Sequence, residues 1–78
     1  MENKIMRRKL YRVLRKTGVH KKDIKPEAYF KEDLEFDNVD WKIFTFYLED
    51  VFNVNLKDEE LAKLKSINDT LVLLKNSA

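Results

Sequence analysis

No cysteine occurs in the 78 residues, and there is one glycine, one proline and one histidine. Without thiols there can be no disulfide staple and no thiolate metal site. A lone His20 cannot build a multi-histidine metal centre, and with no cysteine nucleophile nearby it offers no basis for catalysis. No Gly-rich phosphate loop is present. So few turn residues argue against a many-stranded β fold and for helices. No apolar run reaches membrane-spanning length and no signal-peptide pattern is present, so the expectation is a cytoplasmic protein with no metal and no membrane span.

Charge is abundant, at 38% of the residues, and unevenly placed. Residues 1–25 carry ten basic side chains and two acids, a balance of +8. Residues 26–78 carry the remaining six basic side chains and twelve acids, a balance of −6, which brings the chain to +2. A basic front and an acidic body bear on partners, or on attraction within the fold. The basic segment (Arg7, Arg8, Lys9, Arg12, Arg15, Lys16, Lys21, Lys22) could track phosphates. Only Tyr11 adds an aromatic there for base stacking, and no nucleic-acid motif accompanies it, so nucleic acid or another anionic surface stays an alternative partner.

Periodicity gives the elements. Met6, Leu10, Val13 and Leu14 lie on one face of a helix from about Asn3 to Lys16, with Gly18 as its stop. A long polar loop with Pro26 follows, and its Val19, Ile24, Tyr29, Phe30 and Leu34 could plug a core from one side. A second helix opens at Asp37 or Asn38, where Asp37 with Asp40 resembles a capping box, and runs to about Phe52. A short helix near Asp58 to Lys63 is expected to be capped by Asp58, with Leu61 and Leu64 inward. Ser66 with Asp69 opens a last helix carrying Leu71, Val72, Leu73 and Leu74. The fold class is all-α: one domain over residues 1–78, a small four-helix bundle of three longer helices, one short helix and a long first loop.

Helix two is apolar around most of its circumference. Phe44, Tyr47, Leu48 and Val51, edged by Trp41 and Phe52, suit the core. Val39, Ile43 and Phe46 form a second cluster well away from the first, and Lys42, Thr45 and Glu49 leave a narrow polar wedge. Such a helix is either buried on several sides or meets a partner. Either the loop from Val19 to Leu34 folds over the second cluster, or Val39, Ile43 and Phe46 form a docking patch rimmed by Asp40 and Asp50.

In order along the chain stand Gly18-Val19, Phe30-Lys31-Glu32-Asp33-Leu34, Asp37-Asn38-Val39-Asp40, Glu49-Asp50-Val51-Phe52, Leu56, Asp58-Glu59-Glu60 and Ser66-Ile67. This series, without a gap from Gly18 onward, resembles the acyl carrier proteins; helix one matches only in its apolar spacing. The resemblance implies a carrier of acyl thioesters on a phosphopantetheine arm, esterified to the serine of an Asp-Ser-Leu motif. That position is Asn38 here. The transfer needs an oxygen nucleophile, and a carboxamide nitrogen, delocalised into its carbonyl, is a poor one. Asn is a good helix cap, so the helix start survives while the handle is deleted. Neither Thr45 nor Ser66 stands in the motif. The expected cofactor is therefore none.

The resemblance also implies departures. The family is strongly acidic and this chain is not; Asp37, Asp40, Glu49 and Asp50 keep part of an acidic helix two. Ile43 stands where an acid is common, beside Lys42. The implied partner is a protein from an acyl-processing system, docking on Asp37, Val39, Asp40, Ile43, Phe46 and Asp50 of helix two. Phe30, Leu34, Phe52, Leu56, Leu64, Ile67 and Leu71 match positions that line the family's acyl cavity. With Phe44, Phe46 and Tyr47 adding bulk, that cavity is expected to be filled. An atypical or noncovalent carrier is the alternative within the family.

Overall fold

The apolar positions of the first helix close into one buried face, and the rest of the chain wraps around it. A computed structural model describes the backbone of residues 2–77 and the side chains of residues 4–76. Helix α1 spans Glu2–Thr17, α2 Asn38–Phe52, α3 Asp58–Ala62 and α4 Ile67–Ser77, with a 3₁₀ turn, Lys21–Asp23, in the first loop. The expected four-helix, all-α architecture is what the described residues adopt. α1 packs chiefly on α2 and more sparingly on α4.

α1 ends where the backbone must turn left-handed. Gly18 has φ 110°, and its N–H reaches the carbonyls of Leu14 and Arg15, both at 3.1 Å. A Cβ disfavours that conformation, so this stop requires glycine. α2 ends on Asn53, also left-handed at φ 54°, whose N–H bonds the Glu49 carbonyl. Asparagine tolerates this geometry better than most residues.

Both expected capping boxes form. Asp37 Oδ1 accepts the Asp40 N–H at 2.9 Å, and Asp40 Oδ2 accepts the Asp37 N–H at 3.1 Å. At α4, Ser66 Oγ accepts the Asp69 N–H at 3.3 Å, while Asp69 Oδ2 accepts from Lys65 and Ser66 at 2.9 and 3.0 Å. The short helix differs from expectation: Asp58 is its first residue rather than its cap. Glu60 reaches back instead, accepting the Lys57 N–H at 3.1 Å.

Leu10, Val13 and Leu14 of α1, Phe44 and Leu48 of α2, and Ile67 and Leu74 of α4 form the core with Ala28, Phe30 and Leu64. The long loop does plug it. Phe30 is buried against Phe36, Trp41 and Phe44, with ring centroids 4.9–5.2 Å apart, a spacing at which tilted rings attract. Val19, Ile24 and Leu34 pack at the margin, whereas Tyr29, expected inward, stays exposed. The loop is tied to the α3–α4 connection through Phe30 N–H to the Lys65 carbonyl (2.9 Å), Ile67 N–H to the Ala28 carbonyl (3.0 Å) and Asn68 N–H to the Pro26 carbonyl (2.9 Å). Thr70 is fully buried, and its hydroxyl has no hydrogen-bond partner. Val72, carried on the same helix, faces outward.

Candidate functional site

α2 and its cap Asp37 carry the position of the missing serine and the partner-contact residues named from the sequence. Its inner stripe is held by Phe44 and Leu48, both buried, flanked by half-buried Trp41, Tyr47, Val51 and Phe52. At about 100° per residue, Val39, Ile43, Phe46 and Asp50 then fall together on the side facing away from the core. Val39 is 61% exposed, Ile43 37% and Phe46 65%. The loop from Val19 to Leu34 therefore does not cover them; it lies over Phe44 and Trp41 instead, because Phe30 is seated there. Three large apolar side chains in solvent make an apolar ridge on α2. Asp50 is exposed beside them, while Asp37 and Asp40 stand at the N-terminal end.

Asn38 is the first residue of α2 and is exposed. It is not the cap: Asp37 takes that role, so the helix start does not depend on what residue 38 is. Asn38 opens onto a cleft of about 580 Å³ walled by Tyr29, Phe36, Trp41 and Leu64, with Lys31 and Lys65 at its edge.

Sequence reasoning missed a second groove, of about 590 Å³, between α2 and α3. Trp41, Phe46, Leu61 and Leu64 form its apolar walls; Lys42, Thr45, Glu49 and Asp58 are its polar edge. The residues read as a narrow polar wedge are thus one bank of an open groove. The signal was available in that wedge facing Leu61 of the short helix and Leu64 just beyond it, but the distance between the two helices is not a local property. Glu49 also has a structural duty, since its Oε2 accepts the Leu56 N–H at 2.8 Å and pins the chain between α2 and α3.

Of the apolar positions matched to an acyl cavity, Phe30, Leu64 and Ile67 are buried and Leu34, Phe52, Leu56 and Leu71 pack around them. Phe30 and Phe44 are fully buried, and the half-buried Phe36 and Trp41 rings pack on them at the wall of the cleft beside Asn38. Of the seven, only Leu64 lines the α2–α3 groove.

The serine and threonine hydroxyls nearest these features are committed or sheltered. Ser66 serves its capping box, Thr70 is in the core and Thr45 is half-buried. No group of three or more metal-ligating side chains occurs among the described residues, and none of their helices is long and apolar enough to cross a membrane.

No family model matches the chain. A curated relative does: an acyl carrier protein of Nitratidesulfovibrio vulgaris (strain DSM 19637 / Miyazaki F), 30% identical over 64 residues, covering 82% of this chain and 84% of the relative.

Proposed function

Since the chain belongs to the acyl carrier protein family, we propose that it is a member without the covalent arm, acting through protein contact in an acyl-processing system. The observation that carries this reading is Asn38. It stands exposed at the start of α2, in the position that the sequence resemblance gives to the phosphopantetheine serine. Attachment of the arm makes a phosphate ester on a hydroxyl oxygen. Asn38 has none to offer, and a carboxamide nitrogen is a poor nucleophile. The residues at this helix start do not fit a covalently held arm.

The same helix retains a surface suited to protein docking. The Val39, Ile43 and Phe46 ridge is apolar, solvent-facing and edged by Asp37, Asp40 and Asp50. Large apolar side chains at the centre of a contact, with charge at its rim, are the usual source of binding energy and of orientation respectively. The protein in this reading is not an enzyme. It positions or regulates others that handle acyl chains.

Intact-protein mass spectrometry after incubation with coenzyme A and a broad-specificity phosphopantetheinyl transferase tests the reading. The natural chain is expected to stay unmodified, and Asn38→Ser to gain the mass of one arm. An arm on the natural chain would overturn the proposal. Ile43→Asp is expected to abolish capture of the native partner with an unchanged circular dichroism spectrum; capture that persists would sink the docking role of α2.

The groove between α2 and α3 supports a second reading, a noncovalent site for an apolar chain. Titration with free fatty acids distinguishes it: saturable binding weakened by Leu61→Glu favours a ligand-holding protein, and no binding removes that alternative.

A further inference from the structure

α1 carries a surface that neither the docking ridge nor the α2–α3 groove uses. All four arginines of the chain, Arg7, Arg8, Arg12 and Arg15, are on this helix, together with Lys4, Lys9 and Lys16. All seven are exposed, and the other exposed positions from Lys4 to Lys16 are Ile5 and Tyr11. No residue three or four places from any of these cations is acidic. Instead Lys4, Arg8, Arg12 and Lys16 follow one another at every fourth position. Like charges at that spacing destabilise a helix. A local arrangement that works against the fold in this way is the mark of a surface kept for a function.

The two flanks of the helix differ. On the α2 side, Lys9 and Lys16 lie over the Phe52 and Tyr47 rings at 5.9 and 5.5 Å. Asp40 and Asp50 stand within about 60° of Tyr47 on the α2 wheel, so that flank is mixed in charge. On the other side, Arg7 lines one small cleft with Lys25 of the first loop and another with Lys75 of α4. The first loop adds exposed Lys21 and Lys22 against exposed Glu27 and half-buried Asp23. Asp69 of α4 is engaged in its capping box. Between the flanks, Lys4, Arg8, Arg12 and Arg15 stand on the outermost arc of α1, within about 80° of one another. The seven cations together cover about 200° of the circumference.

We propose that the outer face of α1 binds the phosphate backbone of duplex DNA, without regard to sequence. Arginine presents a planar fork that grips phosphate oxygens in pairs, which a lysine ammonium does not. The major groove of duplex DNA is roughly 12 Å wide and admits an α-helix. Cations spread over half the circumference of a helix reach both walls of such a groove, whereas a flat anionic bilayer meets only one line of them. Leu10, Val13 and Leu14, the apolar stripe of α1, are buried in the core, which leaves Ile5 alone to enter a bilayer. A single strand is held by stacking its bases on aromatic rings, and this face offers only Tyr11, 37% exposed. A protein partner gains most of its binding energy from a central apolar contact, which the arginine arc lacks. Phosphate contacts position a protein on DNA and carry no sequence information.

Fluorescence anisotropy of a labelled, mixed-sequence DNA duplex, titrated with the full chain in a series from about 50 to about 200 mM salt, tests this. Four phosphate contacts, from Lys4, Arg8, Arg12 and Arg15, give a slope of log affinity against log salt of about −4, a loss of about 100-fold across that range. Arg8→Ala with Arg12→Ala is expected to reduce the magnitude of the slope by about 2. Lys57→Ala with Lys63→Ala removes the same charge from exposed lysines at the ends of α3 and leaves the slope as it was. Urea denaturation is expected to find the arginine variant no less stable than the natural chain, since it relieves the like-charge spacing. Arg12→Gln alone, with a slope change of about 1, serves where the pair perturbs the fold. Absence of binding at the lowest salt overturns the inference. So do equal slope changes in the arginine and lysine variants, which would mean net charge alone. Tighter binding to a single strand of the same length, to anionic phospholipid vesicles or to polyglutamate than to the duplex overturns it as well. None of these outcomes touches Asn38 or the α2 ridge, so the proposed function is tested separately.

Discussion

Asp37 and Asp40 exchange two hydrogen bonds across the first turn of α2, and that exchange frees Asn38 from any capping duty. Asp37→Ala should cost about 1 kcal/mol, the usual loss for a cap, while Asn38→Ser should leave stability nearly unchanged. Urea denaturation of both variants checks the contrast. Equal losses would mean that residue 38 holds the helix start after all. Thr70 makes the opposite case. Its hydroxyl is buried with no partner, and a buried unpaired polar group costs stability. Thr70→Val keeps the shape, removes the hydroxyl and should raise unfolding stability by about 1 kcal/mol.

At the scale of elements, the capping boxes and the glycine stop were legible because each is a local arrangement within a few residues. The two faces of α2 were legible for the same reason, since helical periodicity separates Phe44 and Leu48 from Val39, Ile43 and Phe46. What periodicity could not decide was which face the long loop would cover. That depends on Phe30 docking against Trp41 and Phe44, and on the loop pairing with the chain between α3 and α4. Phe36 and Ala28, both outside any periodic run, could not be assigned to the interior beforehand. The cap of α3 was misread because Asp58, Glu59 and Glu60 are all suited to a first turn, and Glu60 reached back to do the capping. The α2–α3 groove depends on a connection held by Glu49. Glu49→Ala should release the Leu56 amide, at a cost of about 1–2 kcal/mol, and speed its hydrogen exchange while leaving Phe44 and Leu48 protected.

Across the whole molecule, the uneven charge of the sequence becomes a spatial division. Arg7 on α1, Lys25 on the first loop and Lys75 on α4 line small clefts that have no carboxylate among their lining residues, while Asp40 and Asp50 outnumber Lys42 beside the exposed apolar residues of α2. Part of the basic excess is spent internally, with Lys9 and Lys16 over α2 rings, and the part around Arg7 is not. Any association driven by this division should weaken steeply with ionic strength, because exposed charges beyond about 10 Å are screened at ordinary salt. Light scattering in a salt series checks it, and an association indifferent to salt would point to purely apolar contact.

Trp41, the only tryptophan, is a wall of both the cleft beside Asn38 and the groove beside α3. One indole thus borders both openings and leans on the neighbouring phenylalanines. The protein carries its own optical reporter. A ligand entering either opening changes the water around that ring and shifts its emission, with no label attached. Contact confined to the α1–α4 seam leaves the colour of the indole as it was.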